Sequence, residues 1–273
     1  MTMNQTICFI GGGNMARSLV GGLIARGTDA TRICVADPIA AQLDSLQQQF
    51  GIRVAANNED AVRGAEVIVL AVKPQQMRSV ATALAPALAA RRPLIISVAA
   101  GIRAADLQHW CGGIPVVRCM PNRPALHGCG MTGLFATSDV SPENRQLAAD
   151  LLGAVGATAW LEQESHMDAV TAISGSGPAY FFLLIEMLEQ AGLSLGLPVE
   201  VSRKLAVETA YGSGCMARDA TETAATLREQ VTSKGGTTEA ALKLLEGQNV
   251  RAIFAAAITA AAHRSAQLAD ELG

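Results

Sequence analysis

Apolar and polar positions follow two alternating periods over the first 162 residues and a single helical one afterwards. Thr6–Ile10 is a short apolar run of buried-strand type, and Asn14–Arg26 then places Met15, Leu19, Gly22, Leu23 and Ile24 at helical spacing. Arg32–Ala36 predicts a second strand, Ala40–Phe50 a helix and Ile52–Ala55 a third strand. Glu66–Val72 is a near-continuous β-branched run, as strands buried on both faces tend to be, and a helix over Gln75–Ala89 follows Lys73-Pro74. Leu94–Val98 and Pro115–Cys119 predict further strands, with Met131–Ala136 and Ala157–Leu161 as late edge strands flanking a helix over Pro142–Leu152. Strands alternating with helices predict an α/β class with a parallel, doubly wound sheet and right-handed crossovers. In such sheets the ligand lies beyond the carboxyl ends of the strands. The loops at Gly11–Gly13, Asp37, Lys73-Pro74, Ala99–Gly101 and Met120–Asn122 are therefore expected along one edge.

From about His166 the strand signal stops, and the chain divides into residues 1–162 and 163–273. Ser174–Pro178 reads as a loop with Pro178 at the first position of the next helix, although a simple helix cap fits it as well. Ala179–Gly192 is apolar nearly all round and is expected to be buried. A helix restarts at Leu197-Pro198 and runs to about Arg218, and a short one ends over Leu227–Val231. After Thr232–Thr238, helices run over Thr238–Leu245 and from Asn249 onward. Helices apolar on several faces have more surface to bury than one small bundle needs. That favours an intertwined dimer with a second copy over a compact single-chain bundle.

Composition narrows the classes. Lys plus Arg is 21 and Asp plus Glu 24, a formal charge of −3, and this balance offers no basic surface for nucleic acid. The first residues lack the positive region of a signal peptide and flow into the first strand. No apolar run reads as membrane-spanning; the long one, Ala252–Ala262, sits between Arg251 and His263. The cysteines (8, 34, 111, 119, 129 and 215) form no CxxC pair and read as reduced core thiols. The histidines are scattered without ligand spacing, so no metal is expected. The reading is a cytoplasmic protein.

Two segments could carry chemistry. In Cys8–Ala16, Gly11, Gly13 and Ala16 fit the G-x-G-x-x-G/A fingerprint between a strand and a helix. Gly11 permits the tight turn, Gly13 lets backbone approach a pyrophosphate, and Ala16 lets helix and strand pack closely. The helix start then directs free N–H groups and a positive dipole end at the phosphates. Asp37 ends the second strand about 20 residues on, where an acidic group can bind a ribose hydroxyl. Together these point to a nicotinamide dinucleotide, NADPH or NADH. The second segment, Val231–Thr238 (VTSKGGTT), gathers hydroxyl residues and two glycines at a helix start. It suits a carboxylate, and equally an ordinary capped turn between helices.

The combination IGGGNMA, AVKPQ at Ala71–Gln75, SVAAG at Ser97–Gly101, RCMPN at Arg118–Asn122, AISGSGPAY at Ala172–Tyr180 and VTSKGGTTEAAL at Val231–Leu242 resembles the pyrroline-5-carboxylate reductases over essentially the whole chain. The resemblance implies a Rossmann-type domain, a helical dimerisation and substrate-binding domain, and an active site between them. It implies the last step of proline synthesis, reduction of the cyclic imine acid pyrroline-5-carboxylate by NAD(P)H, in a homodimer or an oligomer of dimers. Residue by residue, Ile10, Gly11, Gly12, Gly13, Asn14 and Met15 would hold the pyrophosphate, and Asp37 and Asn58 would lie near the adenosine ribose. Ala71, Val72, Lys73 and Pro74, with Ala99, Ala100 and Gly101, would line the cofactor toward its nicotinamide. Ser233, Gly236, Thr237 and Thr238 would form the substrate pocket, with Thr238 at the imine nitrogen as the catalytic residue. Two positions depart from the family pattern: Lys234 stands where proline is common, and Arg123 where threonine is common.

A threonine hydroxyl is a weak acid, so Thr238 is expected to orient the iminium and relay a proton rather than be its ultimate source. A hydroxyacid dehydrogenase would share the architecture but needs a catalytic lysine, and the surroundings of Lys204 and Lys243 do not resemble that motif. A non-catalytic dinucleotide sensor would have no use for an intact Ser233–Thr238 loop.

Overall fold

The computed structural model describes residues 3–273. Its sheet is built from β1 (Ile7–Ile10), β2 (Ile33–Ala36), β3 (Arg53–Ala55), β4 (Val67–Leu70), β5 (Leu94–Ser97), β6 (Val116–Met120), β7 (Gly130–Ala136) and β8 (Gly156–Trp160). The order across the sheet is β3-β2-β1-β4-β5-β6-β7-β8. The first six strands are mutually parallel, with Ile7 opposite both Ile33 and Val67. This register sends Phe9, Val35, Val69 and Ile96 to one face, where they pack with Leu19 and Leu23 of α1 (Asn14–Ala25) and Leu46 of α2 (Ala40–Phe50). The alternate residues Cys8, Ile10, Ile68 and Ile95 face the other layer, with Met77 and Leu84 of α4 (Pro74–Leu88). Both faces are thus covered, as the continuous apolar strands require.

The wholly parallel sheet expected from the sequence is corrected at its end. β7 runs antiparallel to β6, and β8 is parallel to β7. The connection Pro121–Cys129 holds only a 3-10 turn over Arg123–His127. It is too short for a crossover of a dozen or more residues, so the chain turns straight back. α6 (Pro142–Gly153) then makes the crossover to β8. Two short helices also escaped the pattern, α3 (Asn58–Val62) and α5 (Ala104–Trp110). Neither is long enough to display a helical period. α3 is set instead by Asn57, whose side chain accepts from the Asp60 N–H at 2.8 Å.

Ser174–Pro178 is not a loop. After α7 (His166–Val170) the backbone passes through a π-helical turn, Thr171–Gly175, and directly into α8 (Gly177–Ser194). The Ser176 N–H donates to the Thr171 carbonyl at 2.8 Å, the i→i+5 bond of such a turn. Glycine and serine there interrupt the apolar pattern without interrupting the helix. The continuous helix His166–Ser194 reaches a mean hydropathy of 1.2, long and apolar enough to span a membrane by length and composition alone. The loop expected at Ser174–Pro178 would interrupt that run.

By compactness the chain forms two units: residues up to Ser176 with Ala261–Gly273, and Gly177–Ala260. The second holds α8, α9 (Val199–Asp219), α10 (Ala224–Gln230), α11 (Thr237–Gly247) and the first part of α12 (Val250–Leu272). α8 and α9 cross closely at Gly192, where an added Cβ would stand 2.8 Å from Ser202 Oγ. Burial expected for Ala179–Gly192 is not found within one chain: Phe181 is 65% and Phe182 63% exposed. The cysteines also divide. Cys8, Cys34, Cys111 and Cys119 are buried, whereas Cys129 is exposed and Cys215 half-buried, so the uniform core-thiol reading is corrected. Burial pushes the Cys111 thiol up to about 11.

Candidate active site

The glycine turn sits where β1, β2 and β4 end side by side. The Gly11 N–H donates to the Ala36 carbonyl and the Ala71 N–H to the Ile10 carbonyl, each at 2.8 Å. Gly11 has φ +101°, and a Cβ there would lie 2.6 Å from the Ala71 oxygen, so only glycine fits. Gly13 is the reverse case: a Cβ would meet nothing within 4 Å. Open space therefore lies over the start of α1, where the N–H groups of its first turn lack intrahelical acceptors. A pyrophosphate fits this opening by charge and by room. Asn14 and Met15 begin that helix, and Ile10 is the last, fully buried residue of β1.

A cleft of about 320 Å³ adjoins the turn, lined by Gly11, Asp37, Asn58 and Val72 among others. The structure so brings four of the expected cofactor residues into one concavity. Asp37 is already engaged within it: Oδ2 accepts from the Gly12 N–H at 2.8 Å and Oδ1 from the Ile39 N–H at 2.9 Å. Its carboxylate therefore staples the glycine turn to the end of β2, with remaining lone pairs to offer a ribose. Arg17 binds Gln49 and Ser45 of α2, and Arg32 binds the Asn4 carbonyl.

Lys73 and Pro74 cap and open α4 at the same edge, with Lys73 exposed. Ala99, Ala100 and Gly101 follow β5. A Cβ on Gly101 (φ +74°) would lie 3.3 Å from Leu272 and 3.4 Å from Leu268, so the end of α12 braces this loop. An Arg103–Asp270 ion pair and a 2.7 Å hydrogen bond from Ser265 to Asp168 fasten the same helix end. Sequence reasoning missed two further supports. Glu164 Oε1 pairs with buried Arg118 at 2.7 Å and accepts the Ala104 N–H at 2.7 Å, tying β6 to the start of α5. Asn122 donates to the Ser174 carbonyl at 3.0 Å and accepts the Met131 N–H at 2.9 Å, joining the RCMPN motif to the π turn. Arg123, beside it, is exposed at the start of the 3-10 turn. No periodicity marks such pairs, whose partners lie far apart in sequence.

In the helical unit, Ser233–Thr238 forms the turn that starts α11. Gly235 has φ +74°, and the Gly236 N–H donates to the Ser233 carbonyl at 3.0 Å. Ser233 Oγ lies over Gly236, 2.5 Å from where a Cβ would be. Thr237 and Thr238 occupy the first turn of α11, whose N–H groups suit a carboxylate. Glu239 reaches back from that turn and accepts the Gly235 N–H at 2.6 Å.

A glycine turn at the carboxyl edge of a mostly parallel sheet is the place for a dinucleotide, and the helices that follow carry uncovered apolar faces. Residues 6–101 match the family model described as NADP oxidoreductase coenzyme F420-dependent, and residues 164–268 match that of pyrroline-5-carboxylate reductase dimerisation. The chain is 49% identical over 268 residues to the pyrroline-5-carboxylate reductase of Pseudomonas aeruginosa, covering 98% of each. A solved pyrroline-5-carboxylate reductase from Coxiella burnetii superposes with a TM-score of 0.94 at 41% identity, over 97% of this chain and 99% of that one. The Plasmodium falciparum enzyme, solved with NADP bound, gives 0.85 at 28% identity, over 98% and 100%. The chain belongs to the pyrroline-5-carboxylate reductase family. It converts pyrroline-5-carboxylate to proline with NAD(P)H, and its dimerisation domain makes it a homodimer.

Proposed function

We propose that residues 1–162 hold NAD(P)H through Ile10–Met15, Asp37, Asn58, Ala71–Pro74 and Ala99–Gly101. Residues 163–273 carry dimerisation and the substrate loop Ser233, Gly236, Thr237 and Thr238. NAD(P)H supplies the hydride when bound. The chain's own part is to position the imine acid and manage one proton. Backbone N–H groups of Thr237 and Thr238, the free first-turn donors of α11, hold the substrate carboxylate, while the Gly236 N–H closes the turn onto the Ser233 carbonyl. Thr238 Oγ meets the ring nitrogen, whose protonation makes the C=N carbon electrophilic. A hydroxyl both donates and accepts, so it orients the iminium and relays a proton without being its source.

The placement of Thr237 and Thr238 at the start of α11 supports this reading best. Steady-state oxidation of NAD(P)H with pyrroline-5-carboxylate tests it: Thr238→Ala lowers kcat and leaves the KM for NAD(P)H in place. Full kcat in that variant overturns the assignment. The same reading places the protein in the cytoplasm, working on a small molecule with neither nucleic acid nor membrane. Pairing of dimers into a higher oligomer is compatible with it, and light scattering decides that point.

A further inference from the structure

The N-cap of α11 is Gly236, which has no side chain to satisfy a first-turn donor. The turn ahead of it is soft by composition, because Gly235 and Gly236 follow one another and Gly235 holds a left-handed φ of +74°. Glycines of this kind lose the most conformational freedom on folding, so a contact must select the one geometry. Glu239, the third residue of α11, supplies it. Its Oε2 accepts the Gly235 N–H at 2.6 Å, and its Oε1 pairs with Lys243 Nζ at 3.3 Å, one helical turn on. This resembles the returning half of a capping box, displaced one residue outward. The Glu239 side chain is 29% exposed against 74% for Lys243, so the carboxylate is partly withdrawn from water where it meets the loop. Its charge suits the positive end of the helix. Lys243 balances that charge, which would otherwise oppose a substrate carboxylate nearby.

The geometry points to Glu239 as a positioning residue of the imine-reducing site: its carboxylate latches Gly235 and thereby aims the Thr237 and Thr238 N–H groups, with Lys243 as its counter-charge. The inference rests on Ser233–Thr238 being the substrate loop. Glu239 touches neither substrate nor cofactor in this role; it holds the backbone that does.

The full-length dimer provides the test. Glu239→Ala is expected to raise the KM for pyrroline-5-carboxylate roughly three- to tenfold, the weight of one lost cap contact, while the KM for NAD(P)H stays put. Glu239→Gln keeps an acceptor oxygen and restores most of the difference. Amide hydrogen exchange at Gly235 gives a readout independent of activity and is expected to quicken roughly fivefold or more in Glu239→Ala alone. Unchanged exchange overturns the latch. Faster exchange with an unchanged KM for pyrroline-5-carboxylate, or with both KM values raised alike, overturns the positioning role. Thr238→Ala, run in parallel, reports on the substrate loop itself. Full kcat there removes that assignment, whereas the exchange result still decides whether Glu239 holds Gly235.

Discussion

The sheet-bearing unit and the helical unit are about equally apolar in their elements, yet only the first is finished within one chain. Phe9, Leu19, Leu23, Ile68 and Leu70 are at most 1% exposed, and both faces of the sheet are covered. In the second unit α10 and α11 have no buried residue, and α9 buries only Ser202 and Ala206. Phe181, Phe182, Met187, Tyr211, Leu244 and Phe254 are each at least half exposed in the single chain. Full burial of such a side chain is worth about 1.5–3 kcal/mol. With about half of each still uncovered, six of them hold back roughly 5–9 kcal/mol, comparable to the whole stability of a typical domain, about 5–15 kcal/mol. The helical unit therefore leaves apolar surface uncovered within one chain, in the residues that match the dimerisation model, 164–268. One unit stores its information in its own pattern; the other stores half of an interface.

The harshest way to break this contrast is to charge the unfinished face. Phe181→Asp is expected to abolish dimers and reduce activity to background, because a carboxylate would be buried unpaired at the interface. Light scattering and circular dichroism should find a monomer that keeps its strand signal. A dimer with normal activity would mean α8 faces solvent after all. In the finished unit, Gly13→Val should weaken NAD(P)H binding roughly 100-fold or more while leaving the melting temperature nearly unchanged, since the site over Gly13 is open. Gly11→Val should instead destabilise the fold, through its positive φ and the clash with Ala71. Fluorescence titration beside thermal melts separates the two glycines.

Thr238→Ala follows, with kcat lowered roughly 10- to 1,000-fold, the range for one positioned proton-handling group. Thr237→Ala should mainly raise the KM for pyrroline-5-carboxylate. A smaller change is expected for Asp37→Ser. It unties Gly12, so the KM values for both cofactors rise, and it removes a charge that disfavours a 2′-phosphate, so the kcat/KM ratio moves toward NADPH. An unaltered ratio would leave Asp37 as a staple alone. The mildest test uses thiol reagents at pH 8. Cys129 should react at once, while Cys111, pushed up to about 11 by burial, should stay protonated and unreactive until the protein unfolds. Rapid reaction of all six thiols would show that the first unit is not closed.

By itself the sequence determined the periodic and the local features. The continuous runs at Ile7–Ile10, Ile33–Ala36 and Val67–Leu70 read as buried strands because a sheet covered on both faces requires apolar residues at every position. The glycine turn was legible because backbone geometry and phosphate access restrict residue type over a few consecutive positions. The VTSKGGTT segment was legible as a family resemblance, while its residues alone fitted a plain cap equally well. Tertiary structure decided what depends on distant partners. The reversal of β7 followed from a short connection, and the π turn from hydrogen bonding that glycine and serine spacing does not encode. Asp37 on Gly12, Glu164 on Arg118 and Ala104, and Asn122 on Ser174 join residues 25 to 60 positions apart in the chain. An apolar helix such as α8 likewise looks the same in sequence whether its own chain or a second copy covers it, because the hydrophobic effect is non-directional and only the assembled surface says who the partner is.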